Sequence, residues 1–579
     1  AWFFCQGKIR PENALLLTFT NKAAGEMKRR VLQFVNSSPV VGTFHSFCAR
    51  VLRIDGKHIG IPPGFLIYDE QDQKDAVKQI LEGFNMPTDS YQPAAILSNI
   101  SDAKNQMLTP TQYAEFVNGD WAEAVFKVYL AYEKFLKEND ALDFDDLLIK
   151  TVILFKEVPQ VLEKWQKKLT HIFVDEWQDT NKIQYTLTKL LVGDRKNITA
   201  VGDASQSIYS WRGADFRNIN YLARDYPGIK IVNLEQNYRS TQNILNAANC
   251  VISKNTSHPI LKLWTEKGVG AKIKLYSARN GFDEADFVVK EVTSLATSYK
   301  LLTTKYSDIA VLYRTNAQSR VLEEALLHAG IPYVLVGGVK FYDRKEVKDV
   351  ISYLRLIVNP KDSVSRKRLA KLGKRRFDKF SQLLATSYKL QDKTTLDLLD
   401  DILQTTGYLG LYQRESEENI ARLENIKELR SVATEFPNIH EFLENVSLVE
   451  AEQFSSRHLP ATSYQLPHDS VTLMTLHAAK GLEFPIVFIV GMEEGLFPHS
   501  RSLWDTNQLE EERRLAYVGI TRAKEILYLT YASRRLYFGE KVSNPPSRFI
   551  IDIPEELLEN IEGDSFLNDL KSEFDDLEI

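Results

Sequence analysis

The chain has 579 residues, of which 44% are hydrophobic and 26% charged, so it is a globular protein too long for a single core. It has no apolar run near the roughly 20 residues that span a bilayer, and its three cysteines are far apart, which argues against zinc, iron–sulfur and disulfide frameworks. We expect two to four domains in a reducing, cytoplasmic setting, without a membrane.

The net charge of −5 is unevenly distributed. Residues 552–579 carry eleven acidic residues and one lysine, which leaves residues 1–551 with a net charge of +5. Within that body, RKRLAKLGKRR (366–376) contains seven basic residues. A solvated helix face and a phosphate-binding patch explain such a run about equally well, and both interpretations stay open at this point.

Short apolar strands alternate with helices near the start of the chain. ALLLTFT (14–20) predicts a strand, and the segment that follows it to residue 35 predicts a helix. Three further segments read as strands that end in polar residues: HIFVDE (171–176), NITAVGD (197–203) and IKIVNLE (229–235). Alternation of this kind is typical of parallel sheets covered by helices.

A second region repeats the plan later in the chain. Its predicted strands are DIAVLYRT (308–315), IPYVLVGG (331–338), VTLMTLH (471–477), PIVFIVGM (485–492) and EILYLTYA (525–532). Two long stretches, 69–138 and 345–460, have helical patterns and few strand signals. We therefore predict an α/β protein with two parallel-sheet domains, each carrying a mainly helical insertion.

Polar side chains follow three of the strands predicted between residues 171 and 235. In chain order they are Asp175, Glu176, Asp203, Gln206, Tyr238 and Arg239. Ligands of open α/β sheets bind at the carboxyl ends of strands, and paired acids suit a hydrated Mg²⁺ ion together with a general base for water. One isolated acidic pair is more often a turn or cap, but several such features in order favour a site.

Eight segments resemble, in order, the motifs of superfamily 1 DNA helicases of the UvrD/PcrA/Rep type. They are LLLTFTNKAAGEMKRRV (Ia), VGTFHSFCARVLR (Ib), LDFDDLL (before II), VDEWQDTN (II), VGDASQSIYSWRGAD (III), LEQNYRST (IV), VTLMTLHAAKGLEFPIVFIVGMEEGLFPH (V) and EEERRLAYVGITRAK (VI). The resemblance spans nearly the whole chain. It departs from the usual pattern at Trp177, where Tyr or Phe is more common, and at Ala204 and Ser205, where acids are common.

The resemblance implies two RecA-like motor domains. With the helical stretches above, the expected boundaries are 1–68 and 139–233 for the first motor domain, 69–138 for its insertion, 234–344 and 461–551 for the second, 345–460 for its insertion, and 552–579 for an acidic tail.

A site for ATP and Mg²⁺, split between the motor domains, is implied by the same resemblance. Asp175 would hold the metal through water, and Glu176 would orient and deprotonate the attacking water. Gln206 would read the γ-phosphate, and Arg239 and Arg522 would be arginine fingers. Nucleoside contacts are assigned to Tyr238, which stacks on adenine, to Glu483, which binds the ribose hydroxyls, and to Gly481.

Single-stranded DNA would bind by stacking and by phosphate contacts. The candidate stacking rings are Phe19, Phe44, Tyr209 and Trp211, and the candidate polar contacts are Asn21, Thr43, His45, Arg212 and His477. Core packing is the alternative for each ring. The polar setting of Tyr209 and Trp211 favours DNA, whereas the two interpretations are about equal for Phe44.

A Walker A loop, GxxxxGK[ST], is missing from the sequence. Only 14 residues precede Leu15, and AWFFCQG resembles the end of the helix that follows such a loop. We therefore expect a truncated sequence, and a chain that, as written, hydrolyses ATP poorly or not at all.

The resemblance implies a monomeric, cytoplasmic, ATP-dependent helicase that moves 3′ to 5′ on single-stranded DNA and acts at single/double-strand junctions. Repair or replication proteins would be its partners. The alternative is a nucleotide-dead subunit that only binds DNA or a partner. A helicase–nuclease fusion is disfavoured because too few residues follow NPPSRFI (544–550).

Overall fold

The computed structural model describes residues 2–35, 37–88, 90–297, 304–385, 393–413, 416–455, 469–537 and 539–561. Most of the predicted acidic tail, residues 562–579, lies outside the described residues, as does the side chain of Arg212. The chain divides into two compact units, residues 1–232 and 233–579, and each is described by itself.

The first unit contains a four-stranded parallel sheet and a small two-stranded parallel sheet. Its strands are β1 (Ala14–Thr18), β2 (Val40–Thr43), β3 (Leu66–Ile67), β4 (Ala141–Leu142), β5 (His171–Val174) and β6 (Ile198–Ala200). Its helices are α1 (Trp2–Cys5), α2 (Asn21–Leu32), α3 (Phe44–Asp55), α4 (Glu70–Gly83), α5 (Pro93–Asn105), α6 (Pro110–Tyr113), α7 (Asp120–Glu138), α8 (Phe144–Glu157), α9 (Pro159–Lys168), α10 (Lys182–Val192) and α11 (Asn218–Asp225).

The larger sheet of this unit has the strand order β2-β1-β5-β6. Strand β1 is buried along its whole length, and its residues alternate between two cores as a strand requires. Leu15 and Leu17 belong to the core that includes α3, α8 and α10, whereas Leu16 packs on the opposite face with Met27 of α2. Burial on both faces explains the continuous apolar run ALLLT.

Helices α4, α5 and α7 of the first unit surround a core of their own, which includes Val77, Ile100 and Val128. Lys104 of α5 joins this core to the sheet-bearing part of the unit. Its ammonium, 1% exposed, lies 2.7 Å from Asp143 and 2.9 Å from Asp146 at the start of α8. A buried lysine is stabilised only when such partners surround it.

The second unit contains a seven-stranded parallel sheet of order β15-β7-β12-β11-β8-β10-β9. Its strands are β7 (Ile273–Ala278), β8 (Ile309–Tyr313), β9 (Tyr333–Val336), β10 (Val471–Thr475), β11 (Phe484–Ile489), β12 (Ala523–Ala532), the antiparallel pair β13 (Arg535–Tyr537) and β14 (Glu540–Val542), and β15 (Leu558–Asn560).

The helices of the second unit fall into two groups. Helices α12 (Gln242–Ser253), α13 (Gly281–Thr297), α14 (Ser319–His328), α21 (Thr506–Ile520) and α22 (Arg548–Ile551) alternate with the strands. Between β9 and β10 lie α15 (Lys345–Val358), α16 (Ser363–Ala370), α17 (Lys374–Ala385), α18 (Thr395–Thr406), α19 (Glu417–Glu435) and α20 (Ile439–Ser455). Helices α15, α18 and α19 supply much of a separate core.

Helix α19 is anchored to α14 by Arg320, whose side chain is 3% exposed. Arg320 donates from Nε to Glu428 at 2.7 Å and from Nη2 to Glu435 at 3.0 Å. The prediction of an α/β protein with two parallel sheets, each accompanied by a mainly helical segment, is confirmed. No helix among the described residues is both long enough and apolar enough to cross a membrane.

One predicted strand is wrong. Among the described residues, IKIVNLE (229–235) pairs with no strand, and its side chains at Ile231, Val232 and Leu234 are 72%, 63% and 71% exposed. At its end the Trp264 N–H donates to the Glu235 carbonyl at 3.0 Å, and an isolated bridge joins Gln236 to Trp264. Alternating apolar residues produce a strand only where a neighbouring strand completes the hydrogen-bonded ladder, and the described structure provides none for this segment.

Candidate active site

Two of the predicted polar clusters lie at one edge of the first sheet. Because β1, β2, β5 and β6 are parallel, their carboxyl ends meet there. Asp175 and Glu176 follow β5, and Asp203 lies shortly after β6. The third cluster, Tyr238 and Arg239, belongs to the second unit and follows no strand, because the strand predicted before it does not form.

The turn after β5 is held from both sides. The Asp175 N–H donates to the carbonyl of Leu17 and the Trp177 N–H donates to that of Val201, both at 2.9 Å. Between them, Glu176 adopts φ +53° and ψ 45°, the left-handed region that costs a non-glycine residue about 1 kcal/mol or more. Backbone residues held in this region cluster at functional sites.

A continuous chain of hydrogen bonds links Glu176 to Gln206. Glu176 Oε2 accepts from Gln178 Nε2 at 2.5 Å, and Gln178 Oε1 accepts from the Asp203 N–H at 3.0 Å. Asp203 Oδ2 accepts from Gln206 Nε2 at 2.8 Å. Gln178 is fully buried, whereas the other three side chains are partly exposed. The two groups predicted to act on water and on the γ-phosphate thus belong to one polar network.

Asp175 is the candidate ligand for Mg²⁺. Burial, and then the neighbouring charge of Glu176, raises the pKa of the Asp175 carboxyl. Among the described residues, no group of three or more His, Cys, Asp or Glu side chains could hold a metal by itself. Mg²⁺ normally binds one or two carboxylates together with substrate phosphates and water, so the donor set fits an ion that arrives with a nucleotide.

Trp177, the unusual residue of motif II, has a structural role. Its side chain is 2% exposed, its Nε1–H donates to the Asn218 carbonyl at 3.0 Å, and its ring packs against Tyr185. The indole therefore ties the turn after β5 to the start of α11. A large aromatic ring is required at this position by packing, and the additional N–H of Trp finds an acceptor.

Three aromatic rings form a cluster in the loops after β1 and β6, which we call the aromatic cluster (Phe19, Tyr209 and Trp211). The rings of Phe19 and Tyr209 are stacked with centroids 5.4 Å apart, and Trp211 meets Tyr209 edge-on at 6.3 Å. Trp211 is 48% exposed, so core packing is wrong for this residue. The cluster presents an aromatic surface beside the network that contains Gln206.

Phe44 does not belong to this surface. Its side chain is 3% exposed and lies in the same core as Leu15 and Leu17, so the prediction of a DNA contact is wrong for this ring. The first residue of an amphipathic helix can face either way, and here the apolar face of α3 includes position 44.

The predicted polar DNA contacts of the first unit lie at helix starts. Asn21 is exposed at the start of α2, and Thr43 caps α3 by accepting from the Ser46 N–H. His45 is partly buried, edge-on to Phe144 at 6.1 Å, and burial lowers its pKa, so its imidazole is neutral at pH 7. A neutral imidazole offers one donor and one acceptor nitrogen for hydrogen bonds.

In the second unit, Glu483 joins two cations. Glu483 Oε2 accepts from Arg239 Nε at 2.7 Å, and Glu483 Oε1 lies 2.9 Å from Lys524 Nζ. The hydrogen bonds from Lys524 and then Arg239 lower the pKa of Glu483 to about 2. Gly481, at φ +79°, lies in the turn just before Glu483. The structure thus places Arg239 in contact with Glu483, two residues after the turn at Gly481.

Tyr238 and Arg522 differ sharply in exposure. Tyr238 is 78% exposed, and its hydroxyl donates to Gln236 Oε1 at 2.8 Å, which leaves the ring accessible. Arg522 is 1% exposed, and it donates from Nε to the Val518 carbonyl and from Nη1 to the Leu482 carbonyl. Arg522 lies two residues before Lys524, which pairs with Glu483, but the Arg522 side chain is buried.

The remaining predicted contacts are His477 and the basic run. His477 lies partly buried in the turn after β10. The basic run spans the end of α16, a turn at Gly373 and the start of α17. Arg368 pairs with Asp349, whereas most of the other cations of the run are exposed, which leaves both interpretations of this segment open.

Two residues of these networks were missed by sequence reasoning. Gln178 lies two positions after Glu176 in VDEWQDTN, and Lys524 lies two positions after Arg522 in ITRAK. Their position inside motifs was the available signal. A glutamine or lysine at such a position does not by itself predict which charged group it contacts.

Comparisons with known proteins agree with the motif order. The sequence model of the UvrD/REP helicase N-terminal domain matches residues 1–227, and that of the UvrD-like helicase C-terminal domain matches 232–408 and 377–534. A Staphylococcus epidermidis protein named ATP-dependent DNA helicase PcrA is 43% identical over 97% of this chain and 83% of its own length. Proteins with the same name from Staphylococcus aureus and Bacillus subtilis are 42% and 44% identical over 97% of this chain and 82% of their own lengths.

Proposed function

Since the chain belongs to the UvrD/REP helicase family, we propose that it is an ATP-dependent DNA helicase that moves 3′ to 5′ on single-stranded DNA and unwinds duplex. The observation that carries this proposal is the loop after β6. It holds Gln206 in the network with Glu176 and, three and five residues on, Tyr209 and Trp211 of the aromatic cluster. In this proposal, one short loop carries both the group that senses phosphate and the rings that stack on bases.

The first unit supplies the groups that act on water and phosphate. Glu176 orients the attacking water and accepts its proton, and Gln206 donates to the γ-phosphate. Asp175 would hold Mg²⁺, which neutralises charge on the β- and γ-phosphates when it is bound. The network through Gln178 and Asp203 limits the movement of both Glu176 and Gln206.

The second unit supplies nucleoside and charge-stabilising groups. Tyr238 offers an exposed ring for adenine, and Glu483, after the turn at Gly481, offers a carboxylate to the ribose hydroxyls. Arg239 and Arg522 stabilise the negative charge that develops during phosphoryl transfer, a role that contributes about 10³–10⁵ in rate in related enzymes.

Single-stranded DNA binds at the aromatic cluster by stacking, which tolerates any base sequence. Asn21, Thr43, His45, Arg212 and His477 contribute contacts to phosphates. The expected setting is a monomer in the cytoplasm that acts at single/double-strand junctions in repair or replication, with proteins of those processes as partners.

A second candidate function is a nucleotide-dead DNA-binding subunit. It differs from the helicase in one testable respect, since such a subunit would bind DNA without hydrolysing ATP. Against it, Glu176, Gln206 and Arg239 are all retained and each is held by specific hydrogen bonds.

The experiment compares the chain with a chimera in which a Walker A segment from a characterised family member is joined ahead of Ala1. We expect both proteins to bind single-stranded DNA. Only the chimera should hydrolyse ATP in a DNA- and Mg²⁺-dependent manner and unwind a duplex with a 3′ single-stranded tail, but not one with a 5′ tail. A chimera that binds ATP and DNA without turnover would support the nucleotide-dead subunit.

A further inference from the structure

We propose that Gln178 is a positioning residue that holds the Glu176 carboxylate in register with the loop that carries Gln206. The inference rests on the proposed function, because it concerns the same hydrolytic site. It goes beyond that function by assigning a role to a side chain that is itself too deeply buried to touch a nucleotide.

The orientation of the Gln178 amide follows from its two partners. The Asp203 N–H can only donate, so the atom that faces it at 3.0 Å must be the carbonyl oxygen Oε1. The amide nitrogen therefore faces Glu176 Oε2 at 2.5 Å, where a carboxylate accepts. A flipped amide would place donor against donor at Asp203 and acceptor against acceptor at Glu176.

This arrangement requires both a donor and an acceptor at the end of one side chain. Glutamate at position 178 would keep the acceptor for the Asp203 N–H but would place a second carboxylate against Glu176. Methionine has nearly the same shape and would lose both hydrogen bonds. Because Gln178 is buried, neither lost partner would be replaced readily by water.

The backbone of Glu176 explains why an external support is needed. Its left-handed conformation, φ +53°, is one that a non-glycine residue leaves readily unless neighbouring structure holds it. The ladder bonds of Asp175 and Trp177 hold the main chain on either side, but they do not hold the Glu176 side chain. The Gln178 amide contacts the Glu176 carboxylate directly, and the same amide accepts from the Asp203 N–H at the start of the loop that carries Gln206.

The first test measures the contact in the chain as it exists. Gln178→Glu should lower the melting temperature, and the double variant Glu176→Gln with Gln178→Glu should recover most of the loss, because it restores a donor facing an acceptor. Hydrogen exchange at the Asp203 amide should stay slow in Gln178→Glu and become at least about tenfold faster in Gln178→Met. A double variant no more stable than Gln178→Glu would overturn the contact.

The second test measures hydrolysis in the Walker A chimera. Gln178→Glu and Gln178→Met should each lower kcat about 10- to 100-fold, the range found when a partner that orients a reactive group is lost. KM for ATP and Kd for single-stranded DNA should change less than about threefold. The matched control is Gln184→Glu, a buried glutamine of α10 whose Oε1 accepts from the Asn181 N–H and which should keep normal kcat.

The two proposals fail in different ways. If the unaltered chimera shows no DNA-stimulated turnover, the proposed function is wrong and a hydrolytic role for Gln178 is wrong with it. If the unaltered chimera is active and Gln178→Glu keeps its kcat, the proposed function stands and Gln178 only braces the loop after β6.

Discussion

Arg239 donates from Nε to Glu483 Oε2 at 2.7 Å, so a predicted arginine finger is paired with the carboxylate predicted to bind ribose. Lys524 contacts the other oxygen of the same carboxylate at 2.9 Å. If Glu483 binds ribose and Arg239 turns toward phosphate, as we propose, Lys524 would still pair with the Glu483 carboxylate. Arg239 also donates from Nη1 to the Thr521 carbonyl at 3.2 Å, so two contacts hold its side chain in this structure.

Arg239→Ala should lower the ATP turnover of the Walker A chimera by about 10³-fold or more, because the charge that stabilises phosphoryl transfer is lost. Its melting temperature should change little, because Lys524 continues to pair with Glu483. Steady-state kinetics and a single-stranded DNA titration check this expectation. Arg279→Ala, at a cation whose side chain is 87% exposed in the same unit, is the control. Loss of DNA affinity equal to the loss of turnover would identify Arg239 as a DNA contact.

Arg522→Ala should lower both turnover and stability. The guanidinium is 1% exposed and donates to the Val518 and Leu482 carbonyls, so its removal loses two hydrogen bonds and leaves unfilled space at a buried site, at about 3 kcal/mol or more, although Thr521 Oγ1 still donates to the Val518 carbonyl. Thermal unfolding measures this cost, and turnover is then compared per folded molecule. Normal turnover in the folded fraction would show that Arg522 is structural and would remove it from the proposed fingers.

Much of the fold could be predicted because strands buried on both faces appear in the sequence as continuous apolar runs. ALLLT and IAVLY are such runs, and both form central parallel strands. IKIVNLE is also rich in apolar residues, although Lys230, Asn233 and Glu235 interrupt them, but it has no partner strand in the described structure. The presence of a partner strand is a tertiary property that composition does not encode. Composition also cannot tell which aromatic residues are buried, as Phe44 is, and which are exposed, as Trp211 is.

The motifs identified candidate site residues, but they did not predict which side chains are exposed or what they contact. Phe44 and Trp211 both lie within motifs, yet one is 3% and the other 48% exposed, because the direction of a side chain depends on how its helix or turn packs. Gln178 was missed for a related reason. Its partner Asp203 is 25 residues away, across the space between β5 and β6, and only the paired strands bring the two loops together.

Glu176→Gln should reduce the turnover of the Walker A chimera by at least about 10²-fold, the scale of a positioned general base, while ATP binding remains nearly intact. The amide would still face Gln178, so the turn should survive. Single-turnover hydrolysis and nucleotide titration check the two parts. Glu157→Gln, at an exposed acid of α8, should leave both unchanged. Turnover within a few-fold of the unaltered chimera would mean that Glu176 is not the base.

The stability of the second unit should fall in mild acid because of His258. Burial, and then the charge of Arg514, lowers the pKa of His258 to about 4. In the unfolded chain His258 has a pKa near 6.5, so between about pH 6.5 and pH 4 it is protonated there but neutral in the folded chain. The free energy of unfolding should decrease across this window by up to about 1.4 kcal/mol per pH unit from this group.

His258→Gln removes the titrating group and should flatten that slope while leaving the stability at pH 7 to packing and to the contact with Ser257 Oγ. Urea unfolding followed at pH 7, 6, 5 and 4.5 measures the slope for both proteins. Equal slopes would show that His258 accepts its proton in the folded state.

Trp211→Ala should lower the affinity for single-stranded DNA without unfolding the protein. Trp211 is 48% exposed and meets Tyr209 only edge-on, so its removal creates no buried cavity and the melting temperature should stay within a few degrees. Loss of one stacked base should cost about 1–3 kcal/mol of single-strand affinity. Fluorescence anisotropy with a single-stranded oligonucleotide measures this in the chain as it exists.

Two controls separate stacking from packing at position 211. Trp504→Ala removes a ring that is 92% exposed in the second unit and should change neither affinity nor stability. Trp165→Ala removes a ring that is 2% exposed in the first unit, and should lower stability by about 3–5 kcal/mol without a specific loss of affinity in the folded fraction.

In the Walker A chimera, Trp211→Ala should reduce unwinding more than ATP turnover at saturating DNA. The network of Glu176, Gln178 and Gln206 stays intact, whereas the DNA strand is bound less tightly. A variant that unwinds normally, or whose affinity is unchanged at normal stability, would remove Trp211 from the DNA site and leave Phe19 and Tyr209 as its remaining rings.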